Sequence, residues 1–280
     1  MKKRKRTTIL LFLILFAGLS LLLYPTVSNY WNTLHQSRVI AGYTGQLAAL
    51  PQADRQRLWA DAQAYNQALQ EKSNPFFLTQ AEQTAYAGLL DAAQNGVMGY
   101  LEIPSLDCRL PIYHGTDEAV LQVGVGHLEG SSLPVGGPGT HCVLSGHRGL
   151  PSARLFTDLD RLQPGDGFTL HVLEETLSYE VDQIRIVEPQ QLEELAIQPG
   201  EDYCTLVTCT PYGINTHRLL VRGRRVSDRP QAAQAHLTAD AVALDPAAAA
   251  PLAAVPLGLL LLAAAALQAH RKKQRGERTC

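Results

Sequence analysis

A thiol works as a nucleophile when the fold holds it rigidly yet leaves it reachable, and one segment of this chain has that form. Residues 205–209 read TLVTC, a buried-strand pattern that ends at Cys209 and then turns through Thr210, Pro211, Tyr212 and Gly213. Strand ends beside loops are where a scaffold presents reactive groups. Taken alone the signal is weak, because free cysteines are usually buried packing residues. A second segment, HCVLSGHRG at 141–149, has the same shape and ends at His147 between glycines. Histidine titrates near neutrality and is the commonest general acid or base. With nine histidines in the chain, and His217 nearer to Cys209 in sequence, spacing does not choose among them. Arg218 follows the turn at 212–216 and begins a return strand. A cation beside a thiol stabilises both the thiolate and a tetrahedral oxyanion, although most arginines carry only surface charge.

These three residues need strands to bring them together. After Gly96 the sequence breaks into short β-prone runs at 97–103, 109–113, 141–145, 168–172, 177–187, 203–208 and 217–226. Turn signals at 134–139, 164–167 and 199–200 divide them. Many short strands with brief helical inserts predict a closed or nearly closed β-barrel. Ahead of them, Leu58, Ala62, Tyr65 and Leu69 fall three and four apart and predict a helix over 53–70. Thr79 with Glu82 forms a capping box that should start a second helix, burying Tyr86, Leu89 and Leu90 and stopping at Asn95 and Gly96. Pro75 separates the two helices, and the adjacent Phe76 and Phe77 must pack back on the protein or cover something.

The net charge of −2 gives no reason to expect nucleic acid as a partner, and the basic clusters lie at the two ends. Residues 1–6 form a basic tail ahead of an apolar, uncharged run over 7–27, about the ~20 residues that cross a bilayer. That length favours a retained anchor over a cleaved signal, whose apolar region runs only ~7–15 residues. A second uncharged stretch, 246–269, is followed by a basic tail over 270–280 and predicts another transmembrane helix, weakened by Pro251 and Pro256. Basic flanks outside both spans put both termini in the cytoplasm and the middle of the chain outside. Residues 227–245 read as a linker. The five cysteines contain no C-x-x-C pair, so no metal site is expected from them.

The strings TLVTC, SGHRGLPSARLFTDLDRL, LPIYHGT, GVGHLEGSSLPVGG and CTPYGINTHRLLVRG resemble the signature of sortases, and especially of the class C, pilus-assembling sortases of Gram-positive bacteria. The resemblance covers 97–226 in order. It implies a mainly β fold, the sortase-type β-barrel with short helices, with an N-terminal helical region over 28–96 and a transmembrane helix at each end. It implies Cys209 as catalytic cysteine, His147 as catalytic histidine and Arg218 as catalytic arginine. Thr208, beside the cysteine, is expected to bind substrate, and His217 becomes a strand neighbour of the reactive arginine. Class C enzymes also carry a lid whose Asp-Pro-aromatic anchor places the acid near the arginine and the ring over the cysteine. Here residues 73–78 hold Asn74, Pro75 and Phe76 at that place. The neutral Asn74 should accept from Arg218 more weakly than a carboxylate would, giving a lid that opens more readily. Cys142 and Cys204, each five residues before a catalytic residue on strands the family makes adjacent, should lie level, more as two buried thiols than as a disulfide.

The implied activity is cleavage of an LPxTG-like sorting signal between Thr and Gly through a Cys209 thioester, then transfer to a lysine amine of a pilin subunit as an isopeptide bond. No metal or organic cofactor is required. The partners are pilins bearing the sorting signal and an acceptor lysine, together with the cell membrane, with the catalytic domain outside. A wall-anchoring sortase that uses a peptidoglycan precursor amine is the first alternative, kept open by Asn74. A non-catalytic scaffold that binds sorting peptides is the second.

Overall fold

The computed structural model describes residues 2–227. The linker beyond 227, the second span over 246–269 and the basic tail over 270–280 lie outside the described residues. The chain divides into one unit that reaches Val27 and another that begins at Ser28.

Helix α1 (Lys2–Ala49) contains Pro25. Its early side chains, Ile9 through Phe16 among them, are exposed and almost all apolar. Among the described residues it is the one helix long and apolar enough to cross a membrane, with a best-window mean hydropathy of 2.3. From Ser28 onward its character changes. Asn32, Gln36, Ile40, Tyr43 and Leu47 recur at steps of three and four, which lines one helix face, and that face lies on the barrel. Ile40, Tyr43 and Leu47 are buried. The Tyr43 hydroxyl donates to the Met98 carbonyl at 2.9 Å and accepts from the Leu173 amide at 2.8 Å.

Pro51 precedes α2 (Gln52–Gln70), which buries Ala62, Asn66 and Leu69. The Asn66 amide group answers both backbone groups of Leu133, accepting from its N–H at 2.7 Å and donating to its carbonyl at 3.1 Å. Helix α3 (Gln80–Ala87) opens on the expected capping box: the Glu82 amide donates to Thr79 Oγ1 at 3.3 Å and the Thr79 amide to Glu82 Oε2 at 2.6 Å. It stops at Ala87, well short of Asn95, because Gly88 caps it and Leu90 turns to a left-handed φ of 58°. Leu90 is nonetheless fully buried, as its apolar character requires.

Eight strands follow: β1 (Val97–Ile103), β2 (Cys108–His114), β3 (Val125–His127), β4 (Thr140–Ser145), β5 (Gly167–Val172), β6 (Glu175–Val187), β7 (Asp202–Thr210) and β8 (His217–Arg225). They close into a barrel in the order β1-β2-β3-β4-β7-β8-β6-β5, with β5 returning to β1. Closure leaves no open sheet edge. All seven expected runs are strands. The three-residue β3 was not expected, since so short a run shows no alternation. It pairs parallel with β2 and antiparallel with β4. A four-residue helix, α4 (Glu118–Leu121), leads into it.

Alternation sorts each strand into an inward and an outward set. On β4 and β7 the inward set includes Cys142, Leu144, Cys204 and Leu206, all buried in the core that Met98, Leu101, Phe156 and Phe168 complete. Cys142 and Cys204 are register partners on the parallel pair β4–β7 and are free thiols. Burial holds the Cys204 thiol well above its ordinary pKa.

Candidate active site

The outward set of the same strands contains the residues with chemistry. Cys209 on β7 is the antiparallel register partner of Arg218 on β8. Directly opposed residues of an antiparallel pair project to the same face with Cβ atoms ~4.5–5.5 Å apart. On the other side of β7, Ser145 of β4 pairs with Val207, and the Gly146 amide carries the ladder on by donating to the Val207 carbonyl at 3.0 Å. Two residues further on from this pair stand His147, just past the end of β4, and Cys209, still on β7. Three residues from distant parts of the chain thus lie at the end of the barrel where β4 and β7 finish and β8 begins. His217, one position before Arg218, belongs to the opposite set and bonds to its own neighbour, Thr216 Oγ1, at 2.9 Å.

Each of the three is only part-buried. Arg218 Nη1 donates to the carbonyls of Asn215 at 3.2 Å and His217 at 3.1 Å, which ties the guanidinium to the turn joining β7 and β8. His147 is held by its backbone: its carbonyl accepts from the Phe156 amide at 3.0 Å, closing the loop 147–156. Arg148 pairs with Asp160, and Thr157 Oγ1 accepts from the Gly149 amide at 3.1 Å. Helix α1 reaches the same loop. Asn32 Nδ2 donates to the Ser152 carbonyl at 2.7 Å, and the Arg154 amide donates to Asn29 Oδ1 at 2.8 Å. These two asparagines lie one turn apart on the barrel-facing side of α1 and were not anticipated.

Thr208, expected on the substrate side, lies elsewhere. It is 2% exposed, and its hydroxyl donates to the Gly146 carbonyl at 2.8 Å. Being adjacent to Cys209, it must point to the opposite face, so it braces the segment carrying His147 from behind.

Residues 73–78 run across Gly130. A Cβ there would stand 2.3 Å from the Pro75 carbonyl oxygen and 2.7 Å from Phe76 Cα, so only glycine, at φ 84°, lets the loop come this close. Phe76 packs into the cluster of Val143, Leu195 and Leu220, with Val207 and Val187 at its margin. Val207 and Leu220, which belong to this cluster, are the outward residues next below Cys209 and Arg218. Phe77 is 73% exposed. The polar half of the expected anchor is not formed: Arg218 is engaged by the two turn carbonyls, and the Asn74 carbonyl accepts from the Phe77 amide at 3.4 Å.

One carboxylate near the site was also not anticipated. Glu118 Oε2 lies 3.4 Å from His147 Nε2. Its carboxyl is held below the usual range, first by the Gln122 side-chain amide and then by the field of His147.

The family described as the sortase domain matches residues 101–226. The chain is similar to the crystal structure of sortase C1 from Streptococcus agalactiae, at 50% identity and a TM-score of 0.67, over 68% of this chain and 99% of that one. It is also similar to sortase C of Streptococcus pneumoniae, at 46% identity and a TM-score of 0.60, over 68% of this chain and 97% of that one. Among curated proteins it is 33% identical to sortase D of Bacillus subtilis over 132 residues, 46% of this chain and 64% of the relative. The matches to such curated relatives span about half to two thirds of their length.

Proposed function

The chain belongs to the sortase family of cysteine transpeptidases, and we propose that it is a pilin polymerase in which Cys209, His147 and Arg218 perform the reaction. The observation that carries this reading is the register: Cys209 opposite Arg218 on β8, with His147 two residues past the end of β4, the parallel neighbour of β7. The pneumococcal sortase C to which the chain is similar is described in terms of pilin substrate specificity, which supports a pilin as substrate here.

The chemistry follows from the three groups. The Cys209 thiolate attacks the Thr carbonyl carbon of an LPxTG-like sorting signal, and the carbonyl electrons move to oxygen. Arg218 and backbone N–H groups stabilise that oxyanion. Collapse breaks the Thr–Gly C–N bond as His147 gives its proton to the leaving amine, so a thioester and a free glycine amine result. The lysine amine of the next pilin then attacks the thioester, loses its proton to His147 and expels the Cys209 thiolate, which forms an isopeptide bond and restores the starting protonation. Residues 73–78 serve as a lid held by Phe76, which packs on the cluster of Val143, Leu195 and Leu220, while Asn74 makes no bond to Arg218. The apolar part of α1 anchors the chain in the membrane, and the basic residues ahead of it hold the N-terminus on the cytoplasmic side.

Mass spectrometry of the product formed from a candidate pilin tests the reading. The wild-type chain should yield an adduct on Cys209 and then a lysine-linked pilin dimer, and Cys209→Ala should yield neither. Transfer to a peptidoglycan-type amine with no lysine-linked product would replace the polymerase by a wall-anchoring enzyme. Peptide binding with no covalent adduct would leave only a scaffold.

A further inference from the structure

His147 Nε2 is shut off from solvent and makes no hydrogen bond. Buried polar atoms in native proteins nearly always have a partner, so such an atom needs a reason. The polar group the structure places against it is the Glu118 carboxylate, 3.4 Å away but without the alignment of a full hydrogen bond. Glu118 is otherwise an exposed residue, its side chain 71% accessible. Its two oxygens are divided: Gln122 Nε2 donates to Oε1 at 2.5 Å, and Oε2 is the atom turned to His147. Gln122 follows Glu118 by one helical turn, the spacing at which side chains meet. The fold delivers this pair to the right place. Helix α4 leads directly into β3, and Gly126 of β3 pairs with Ser145 at the end of β4 from which His147 emerges. The far end of that segment is fixed by Gln36 of α1, whose Nε2 donates to the Val123 carbonyl at 3.1 Å.

We infer that Glu118 is a positioning residue for His147, holding the imidazole by Nε2–H so that Nδ1 is the nitrogen presented to Cys209 and the leaving amine. A neutral imidazole carries one N–H and one lone pair, and the partner of one nitrogen decides which nitrogen the other group meets. With Nε2–H directed to the carboxylate, Nδ1 carries the transferable proton in the cationic ring and the lone pair in the neutral ring, as the two half-reactions require in turn. Among the described residues Nδ1 makes no hydrogen bond that would compete. Besides Glu118 on α4, which contacts the ring, the charged and titratable groups on neighbouring elements include Cys209 on β7, Arg218 on β8, Tyr212 in the turn between them, whose ring lies against Gly149, and, on the loop itself, Arg148, which is paired with Asp160. Glu118 is thus the anion available to the imidazolium. Arg148 and Arg218 are both engaged elsewhere, by Asp160 and by turn carbonyls.

The inference rests on His147 being the acid of the proposed reaction, and the test separates the two. The full chain and its Glu118→Gln, Glu118→Asp and Cys209→Ala variants are assayed for acyl transfer from a sorting-signal peptide across a range of pH. Because Glu118 is exposed, the variants are expected to fold with an unchanged melting temperature. Glu118→Gln should lower kcat about 10-fold, a fraction of what a general acid supplies, while KM stays within about twofold. Its pH–rate profile should lose activity on the alkaline side sooner than wild type does, and Glu118→Asp, which keeps the charge, should recover part of both effects. Unchanged kcat and profile in Glu118→Gln, a loss confined to KM, or an Asp variant as impaired as the Gln variant would each overturn it. Absence of any Cys209-linked adduct in the wild-type chain would sink the functional reading and this inference with it. An adduct formed equally well by Glu118→Gln would sink the inference alone.

Discussion

At the scale of single residues, the site is a matter of which face a side chain takes. Cys209 and Thr208 are neighbours in sequence, yet one belongs to the outward row and the other is buried against the Gly146 carbonyl. The same alternation separates Arg218 from His217. Under the proposed lid role of residues 73–78, access to the sulfur depends on two further residues. Gly130 leaves room for the Pro75–Phe76 backbone, so Gly130→Ala should lift the loop and speed alkylation of Cys209. Asn74→Asp should act in the other direction, since a carboxylate can draw Arg218 from its turn carbonyls and a charge-assisted bond is about twice as strong as a neutral one, slowing alkylation about 5-fold. Alkylation rates followed by mass spectrometry read both variants. Equal rates across wild type and both variants would remove the lid from the account.

Elements act on the site through backbone contacts. The C-terminal half of α1 does more than lead into the domain, because Asn29 and Asn32 hold the loop that begins at His147 by two hydrogen bonds of opposite sense. Each such bond contributes on the order of 1 kcal/mol, so the double change Asn29→Ala with Asn32→Ala should loosen the loop by roughly 2 kcal/mol. The expected result is a several-fold fall in kcat with secondary structure unchanged by circular dichroism. Full activity in the double variant would show that the 147–156 loop is held well enough by Phe156 and Asp160 alone. The stripe of Asn32, Gln36, Ile40, Tyr43 and Leu47 was not singled out from the sequence, although its members fall three and four residues apart. Its polar members point at loop carbonyls whose positions no local pattern reveals. The end of α3 is a similar case. Leu90 carries the apolar character that suggests a longer helix, but it is buried from a left-handed backbone position.

For the whole molecule, the barrel encloses or covers several ionisable groups, and one of them sets its tolerance of acid. His141 is 1% exposed, between the Ala196 carbonyl at Nδ1 (3.0 Å) and Thr205 Oγ1 at Nε2 (2.7 Å). Burial, partly offset by the bond to Ala196, pushes its pKa down to about 4. A depressed folded-state value means that the unfolded chain takes the proton first. The stability His141 contributes is therefore complete above its ordinary value near 6.5 and is lost as pH falls from there through about 4. The difference amounts to roughly 3 kcal/mol. Denaturant unfolding at pH 7, 5.5 and 4 should show a decline of that order in wild type and a flatter one in His141→Gln, even if the variant is less stable at pH 7. Parallel declines would assign the acid sensitivity to other groups.

What was legible in the sequence was local: seven strands from their β-prone runs, the α3 capping box, the apolar start of α1, and Cys209, His147 and Arg218 as strand-end residues. Their nomination as a set came from the resemblance of the motifs, since nine histidines could not be ranked by spacing. Strand register, the facing of Thr208, the approach of the loop to Gly130 and the meeting of Glu118 with His147 were decided by the tertiary structure. The physical reason is that propensity, capping and alternation act over a few residues of chain. A barrel pairs strands tens of residues apart, and the neighbours that orient a ring or shield a thiol exist only after it closes.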